Sequence, residues 1–223
     1  MTIRWKDSYL KWDTKIITDF SDKNITSLYD KGYIFARVKK GAMYKTRSMR
    51  ICLDNFVLSS ENKRILKKTE DISMTTEPIP YAKYDWTIHK MGKDFYTTKF
   101  GDKTFSANKI KELMTDEKKS NFNRCFVYQE NNKEQGYCIA LETDKIIHYC
   151  YPFYNLEYQN KNMGMGMMLK AILYAKAKNK QYIYLGSASR QTDTYKLQFS
   201  GIEWFDENVW STHLDKLKNI LKK

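Results

Sequence analysis

The sequence predicts an α+β fold: a mixed, mostly antiparallel sheet flanked by helices, with a small N-terminal α/β unit. Three observations carry this. Strand-like runs "RCFVYQE" (124–130), "QGYCIALE" (135–142) and "KIIHYCYPFY" (145–154) follow one another across short polar breaks, the pattern of antiparallel hairpins. A glycine-containing loop, an amphipathic helix and the buried-type strand "YIYLG" (182–186) come next, and a helix between two strands implies a crossover connection. The chain of 223 residues is longer than a typical domain of roughly 100–150 residues, so one large domain with a smaller companion fits, divided as 1–75 and 76–223.

In chain order, "SDKNITSLYDKG" (21–32) reads as a short helix capped by Ser21 or Asp22 and closed by Gly32. Alternating apolar and basic residues in "YIFARVKKGAMYKTRSMRICLDNF" then suit strands around a turn at Lys40-Gly41. Residues 59–71 begin with serine caps and carry Lys63, Arg64, Lys67 and Lys68 at helical spacing, a basic stripe that equally suits a solvated helix face. "EPIPYAKYDW" holds two of the three prolines and reads as a connector. Ser106 caps a helix with Ile110, Leu113 and Met114 on one face, and residues 166–178 place Met168, Leu169, Ile172 and Ala175 on another.

A hydrophobic fraction of 42% with 15% aromatics supports a true core. No apolar run reaches the roughly 18 residues of a membrane span, and "MTIRWKDSYLKW" lacks a signal-peptide core, so a cytoplasmic location is expected. Cys52, Cys125, Cys138 and Cys150 form no CxxC pair and the three histidines no HExxH pattern, so no metal site is expected. The net charge of +13 suggests a polyanionic partner, although AT-rich coding would also enrich lysine and asparagine.

The segment Lys161-Asn162-Met163-Gly164-Met165-Gly166 stands where a strand gives way to a helix, and glycines there let backbone N–H groups approach an anion at the helix start. Close helix-to-sheet packing explains the same glycines. The loop is similar to the R/Q-x-x-G-x-G/A loop of the GNAT acyltransferase fold. The longer run "PFYNLEYQNKNMGMGMMLKAILYAKAKNKQYIYLG", with "YKLQFSGIEWF" after it, resembles the C-terminal half of the arginyl-tRNA-protein transferase family, including its bacterial leucyl-transferring branch. "SYLKW", "LYDKGYIF" and "RICLDNFVLSSENKRILKKTEDI" resemble the N-terminal unit of that family; residues 75–122 match least. Two departures stand out. The family's cysteine cluster before the position of Arg50 is replaced by "MYKTRSM", and "SASRQTDT" replaces an aromatic-rich stretch after Gly186.

The resemblance implies a GNAT-like sheet and transfer of arginine or leucine from a charged tRNA to the amino group of a protein or peptide N-terminus, in some relatives an acidic one. An aminoacyl ester is already activated, so aminoacyl-tRNA is the co-substrate and no cofactor is expected. An α-amine with pKa near 8 needs only a weak base. Gln191, Asp193 and Tyr195 are the candidate catalytic residues, Asp193 as base or cation anchor, although Asp193 also reads as a turn residue and Tyr195 as a core aromatic. Tyr149, Tyr151 and Tyr154 would line the cleft. Tyr44, Arg47 and Arg50 would hold the acceptor, and Lys161, Asn162, Gly164, Gly166, Tyr184 and Lys196 complete the substrate set. Lys63, Arg64, Lys67 and Lys68, with Lys218, Lys222 and Lys223 of a terminal helix, suit tRNA backbone contacts. The alternatives are an acetyl-CoA-dependent N-acetyltransferase, a non-catalytic tRNA-binding protein, and an enzyme that aminoacylates a small-molecule amine.

Overall fold

The computed structural model describes residues 10–222, apart from the side chains of residues 159–161. The expected helix at 21–32 is α1 (Asp22–Asp30), where Ser21 accepts the Asn24 amide. Next come β2 (Tyr33–Phe35) and β3 (Ala42–Lys45), a hairpin whose β3 also pairs with β1 (Asp13–Ile16) to make a small three-stranded sheet. α2 (Ser60–Lys68) starts at a reciprocal cap in which Ser59 Oγ accepts the Asn62 amide at 3.1 Å and Asn62 Oδ1 accepts the Ser59 amide at 3.2 Å.

The large sheet has the order β11-β10-β4-β9-β8-β7-β6-β5. Its strands are β4 (Ser48–Cys52), β5 (Ser73–Pro78), β6 (Arg124–Glu130), β7 (Lys133–Glu142), β8 (Ile146–Tyr154), β9 (Tyr182–Ser187), β10 (Ile202–Asp206) and β11 (Val209–Ser211). All neighbours are antiparallel except β8 and β9, which the crossover helix α5 (Met163–Ala177) sets parallel. This is the mixed, mostly antiparallel α+β fold that the sequence predicts. Helices α3 (Trp86–Phe100) and α4 (Ala107–Thr115) cover one face and α5 the other; α6 (Leu214–Leu221) closes the chain.

The expected division at 75/76 is corrected. It falls inside β5, and β4, from the expected N-terminal unit, is an interior strand between β10 and β9. Alternation across 42–52 reveals two strands but not that the second leaves its hairpin for the other sheet.

Helix α3 was not expected. Its mixed sequence gives weak periodicity, yet Asp85 caps it by accepting the Thr87 amide at 2.6 Å. It packs closely because Gly92 has no side chain: a Cβ there would lie 2.7 Å from Ile110 Cδ1. The four cysteines are unpaired, Cys125 and Cys138 being buried. Among the described residues no helix is long and apolar enough to cross a membrane, and no cluster of His, Cys, Asp or Glu is placed to hold a metal.

Candidate active-site cleft

The site begins where two strands part. β8 and β9 pair from Ile146 opposite Tyr182 to His148 opposite Tyr184. Beyond that point β8 stays with β7, and β9 stays with β4, Ser187 facing Ser48. A fork opens between them. At the fork β8 carries a bulge: Tyr149 faces Ala140 and Tyr151 faces Ile139, leaving Cys150 as the extra residue. The bulge shifts the alternation, so Tyr149 and Tyr151 lie on opposite faces. Tyr149 stacks on Phe126 on the α5 side, whereas Tyr151 meets Phe105 and Phe122 edge-on, each at 5.3 Å.

Tyr151 lines a cavity of about 480 Å³ beside the fork, together with Lys11, Ile34, Phe35, Ala36, Arg37, Val38, Tyr44, Thr104 and Arg190. Three cations and two phenols share this lining and no carboxylate does. Arg37 is held by its surroundings: the guanidinium lies 4.2 Å from the centre of the Phe105 ring and 5.6 Å from that of Tyr151, and it donates to the Thr104 carbonyl. Lys11 sits 5.2 Å over Tyr44. Such a cleft attracts an anion, and its apolar walls strengthen that attraction.

The predicted catalytic trio falls in a short 3-10 helix, Gln191–Gln198, and does not converge on the cavity. Asp193 accepts the backbone N–H groups of Ser189 and Arg190, both at 2.9 Å, and lies 3.4 Å from Lys196 Nζ. It shapes the loop after β9, the turn role that the sequence also allowed. Gln191 and Tyr195 are exposed, and Arg190, just before them, lines the cleft instead. Lys196 is buried, donating to the Ser187 carbonyl at 2.9 Å.

Of the predicted substrate residues, Tyr44 and Tyr151 line the cavity. Arg47 stands nearby, donating to the Ala188 carbonyl at 3.2 Å, with its pKa lowered by partial burial. Arg50 is elsewhere: it bonds Glu203, Asp30 and the Tyr184 hydroxyl between the rings of Tyr182 and Trp210. That arrangement places Arg50 and Tyr184 in the core. Tyr149 is buried under α5, and Tyr154 packs on Phe95 at 4.8 Å. At the start of α5, Asn162 is left-handed and supplies no side-chain cap, and Gly166 allows contact with α2, since a Cβ there would lie 2.6 Å from Thr69 Cγ2. Gly164 lies beside the Tyr154 ring. The Lys161 side chain lies outside the described residues.

Lys63, Arg64, Lys67 and Lys68 are exposed on α2, Arg64 paired with Glu61. Lys218 pairs with Asp215, and Lys223 lies outside the described residues. Sequence reasoning missed Lys11, Arg37, Thr104 and Arg190, which come from four separate segments. Only the basic character of "FARVKK" signals one of them.

The sequence matches the family model for the arginine-tRNA-protein transferase C terminus over residues 79–206. No curated protein matches significantly. Among solved structures, this chain is similar to a C-terminal domain of a candidate lysylphosphatidylglycerol synthetase from Agrobacterium fabrum, at 12% identity and TM-score 0.44, covering 79% of this chain and 54% of that one. It is also similar to L-PGS from Bacillus licheniformis, at 10% identity and TM-score 0.48, covering 90% and 70%, and to FemX, at 10% and 0.45, covering 74% and 59%. The chain thus spans about half the length of the first of these structures.

Proposed function

Since the chain belongs to the arginine-tRNA-protein transferase family, we propose that it moves an amino acid of the arginine or leucine class from charged tRNA onto the amino group of a protein or peptide acceptor. The observation that carries this reading is the electropositive cleft beside the open fork, with Lys11, Arg37 and Arg190 around Tyr44 and Tyr151. A strand freed from its neighbour leaves backbone N–H groups unpaired, and such groups stabilise the oxyanion that forms when an amine attacks an ester carbonyl. The donor is an activated ester, so aminoacyl-tRNA serves as the co-substrate and no further cofactor is required. This donor is consistent with a cytoplasmic location.

The three cations favour an acceptor whose first side chain is acidic, with Arg37 and Arg190 presenting N–H groups to its carboxylate. Asp193 already holds two backbone amides and lies beside Lys196, which argues against its service as general base. Water in the cleft suffices to take the proton from the attacking ammonium. The exposed stripe on α2 and the uncapped start of α5 supply contacts for RNA phosphates.

The test is incubation with tRNA charged with labelled arginine or leucine and a panel of peptides differing in their first residue. Label should pass to peptides beginning with aspartate or glutamate. Label remaining on tRNA, with acetyl transfer from acetyl-CoA to the same peptides, would replace this reading with an N-acetyltransferase.

A further inference from the structure

Arg37 stands in the cleft wall on a platform that other segments build. Its guanidinium lies 4.2 Å from the centre of the Phe105 ring and donates to the Thr104 carbonyl. That carbonyl uses one N–H group of a planar fork that carries several, and among the described residues no carboxylate pairs with Arg37. Donors therefore remain for a ligand of the cleft. The ring beneath them is wedged: Phe105 is 4% exposed and meets Tyr96 edge-on at 4.9 Å and Tyr151 edge-on at 5.3 Å. Tyr96, on α3, is itself tied to β8, its hydroxyl donating to the Pro152 carbonyl at 3.1 Å. The Thr104 hydroxyl donates to the Gly101 carbonyl at 2.7 Å, which fixes the same short connection between α3 and α4. The bulge at Cys150 completes the platform by turning Tyr151 to this face.

We infer that Phe105 is a positioning residue that sets the acceptor specificity of the cleft: by holding the Arg37 guanidinium as a fixed plane, it keeps paired N–H groups ready for the side-chain carboxylate of an acidic first residue. This inference rests on the transfer reading above. The cavity is lined by Arg37 and Thr104 and not by Phe105, so Phe105 acts on the acceptor only through Arg37. An arginine on a solvated surface samples many rotamers, and a carboxylate that binds it through two hydrogen bonds must freeze them. A guanidinium already stacked on a buried ring has lost that freedom before the acceptor arrives, so more of the pairing appears as affinity. A neutral first residue makes no such ion pair and gains nothing from the platform. The effect therefore falls on KM for acidic acceptors and leaves the attack of the amine on the ester unchanged.

The test compares two peptides that differ only in an aspartate or an asparagine at the first position, each at saturating charged tRNA. Phe105→Leu keeps an apolar side chain but removes the ring face. It should raise KM for the aspartyl peptide about fivefold or more, with kcat and the KM of the asparaginyl peptide within about twofold of the parent. Phe105→Tyr, which keeps the ring, should hold the parental ratio of the two KM values. An equal rise in KM for both peptides, an unchanged ratio in Phe105→Leu, or an active parent that treats the two peptides alike would overturn the inference. If Phe105→Leu does not fold by circular dichroism, Arg37→Lys decides, because lysine keeps the charge but gives up both the stack and the fork of donors. A lost preference for aspartate then supports the inference, and a parental preference overturns it. A parent protein that moves no label from any charged tRNA fails the transfer reading itself, whereas an active, aspartate-preferring parent with an equally selective Phe105→Leu variant fails only the role of Phe105.

Discussion

Arg50 tests whether burial has been read correctly as structure. The residue is 6% exposed, and its guanidinium is bonded to Glu203 at 2.7 Å and Asp30 at 3.0 Å and lies 3.7 Å and 3.9 Å from the ring centres of Tyr182 and Trp210. Breaking a buried ion pair by removing one partner costs about 3–5 kcal/mol. Because the Asp30 side chain is half exposed, and solvent screens what it loses, the lower end applies, about 3 kcal/mol. For a chain of this size that corresponds to a fall in Tm of about 6–12 °C. Arg50→Gln should show this shift by calorimetry while the folded enzyme keeps its acceptor KM. Arg50→Lys should recover only part of the loss, since lysine restores charge but neither the fork of donors nor the stacking. A parental Tm with a raised acceptor KM would refute the reasoning and return Arg50 to the substrate site.

Arg37→Ala and Arg190→Ala should each raise KM for peptides with an acidic first residue about tenfold or more, with little effect on neutral ones, in the label-transfer assay. Lys63→Ala combined with Lys67→Ala should weaken tRNA binding and lower the slope of log affinity against log salt by about 1.8, the value for two lost duplex phosphate contacts, measured by filter binding. The unfolded imidazole of His148 takes up a proton below pH 6.5 and the folded one only near 3. Unfolding therefore binds a proton between these values, and stability falls as pH is lowered through that window, by at most about 1.4 kcal/mol per pH unit; urea titrations from pH 7 to 4 should show this part of the slope disappear in His148→Gln. Asp193→Ala should cost about 1 kcal/mol through the lost cap, with reduced turnover only as the loop carrying Arg190 loosens.

The three hairpin strands, α5 and β9 were legible because their periodicity is strong and their breaks are short. The serine caps of α1, α2 and α4 were visible for the same local reason. What escaped depends on distance along the chain. The bulge at Cys150 leaves no mark in "HYCYPFY", yet it sends Tyr149 and Tyr151 to opposite faces. Asp193 was expected to act as base or cation anchor and Lys196 to contact substrate, but a turn brings them together and buries the lysine. Arg37, Lys11 and Arg190 become neighbours only once the small sheet lies against the loop after β9. A polar edge strand such as β5 carries little apolar alternation and was not expected, only its last residues Glu77 and Pro78 falling in the expected connector.

The parallel pair at the middle of the large sheet makes the molecule two four-stranded ribbons sewn together by a single short seam, from Ile146 to His148 on one side and Tyr182 to Tyr184 on the other. Each ribbon is held by antiparallel rungs, while beyond His148 the facing edges of β8 and β9 pair with their outer neighbours and not with each other. A group that enters there meets two open strand edges inside the sheet instead of a closed surface.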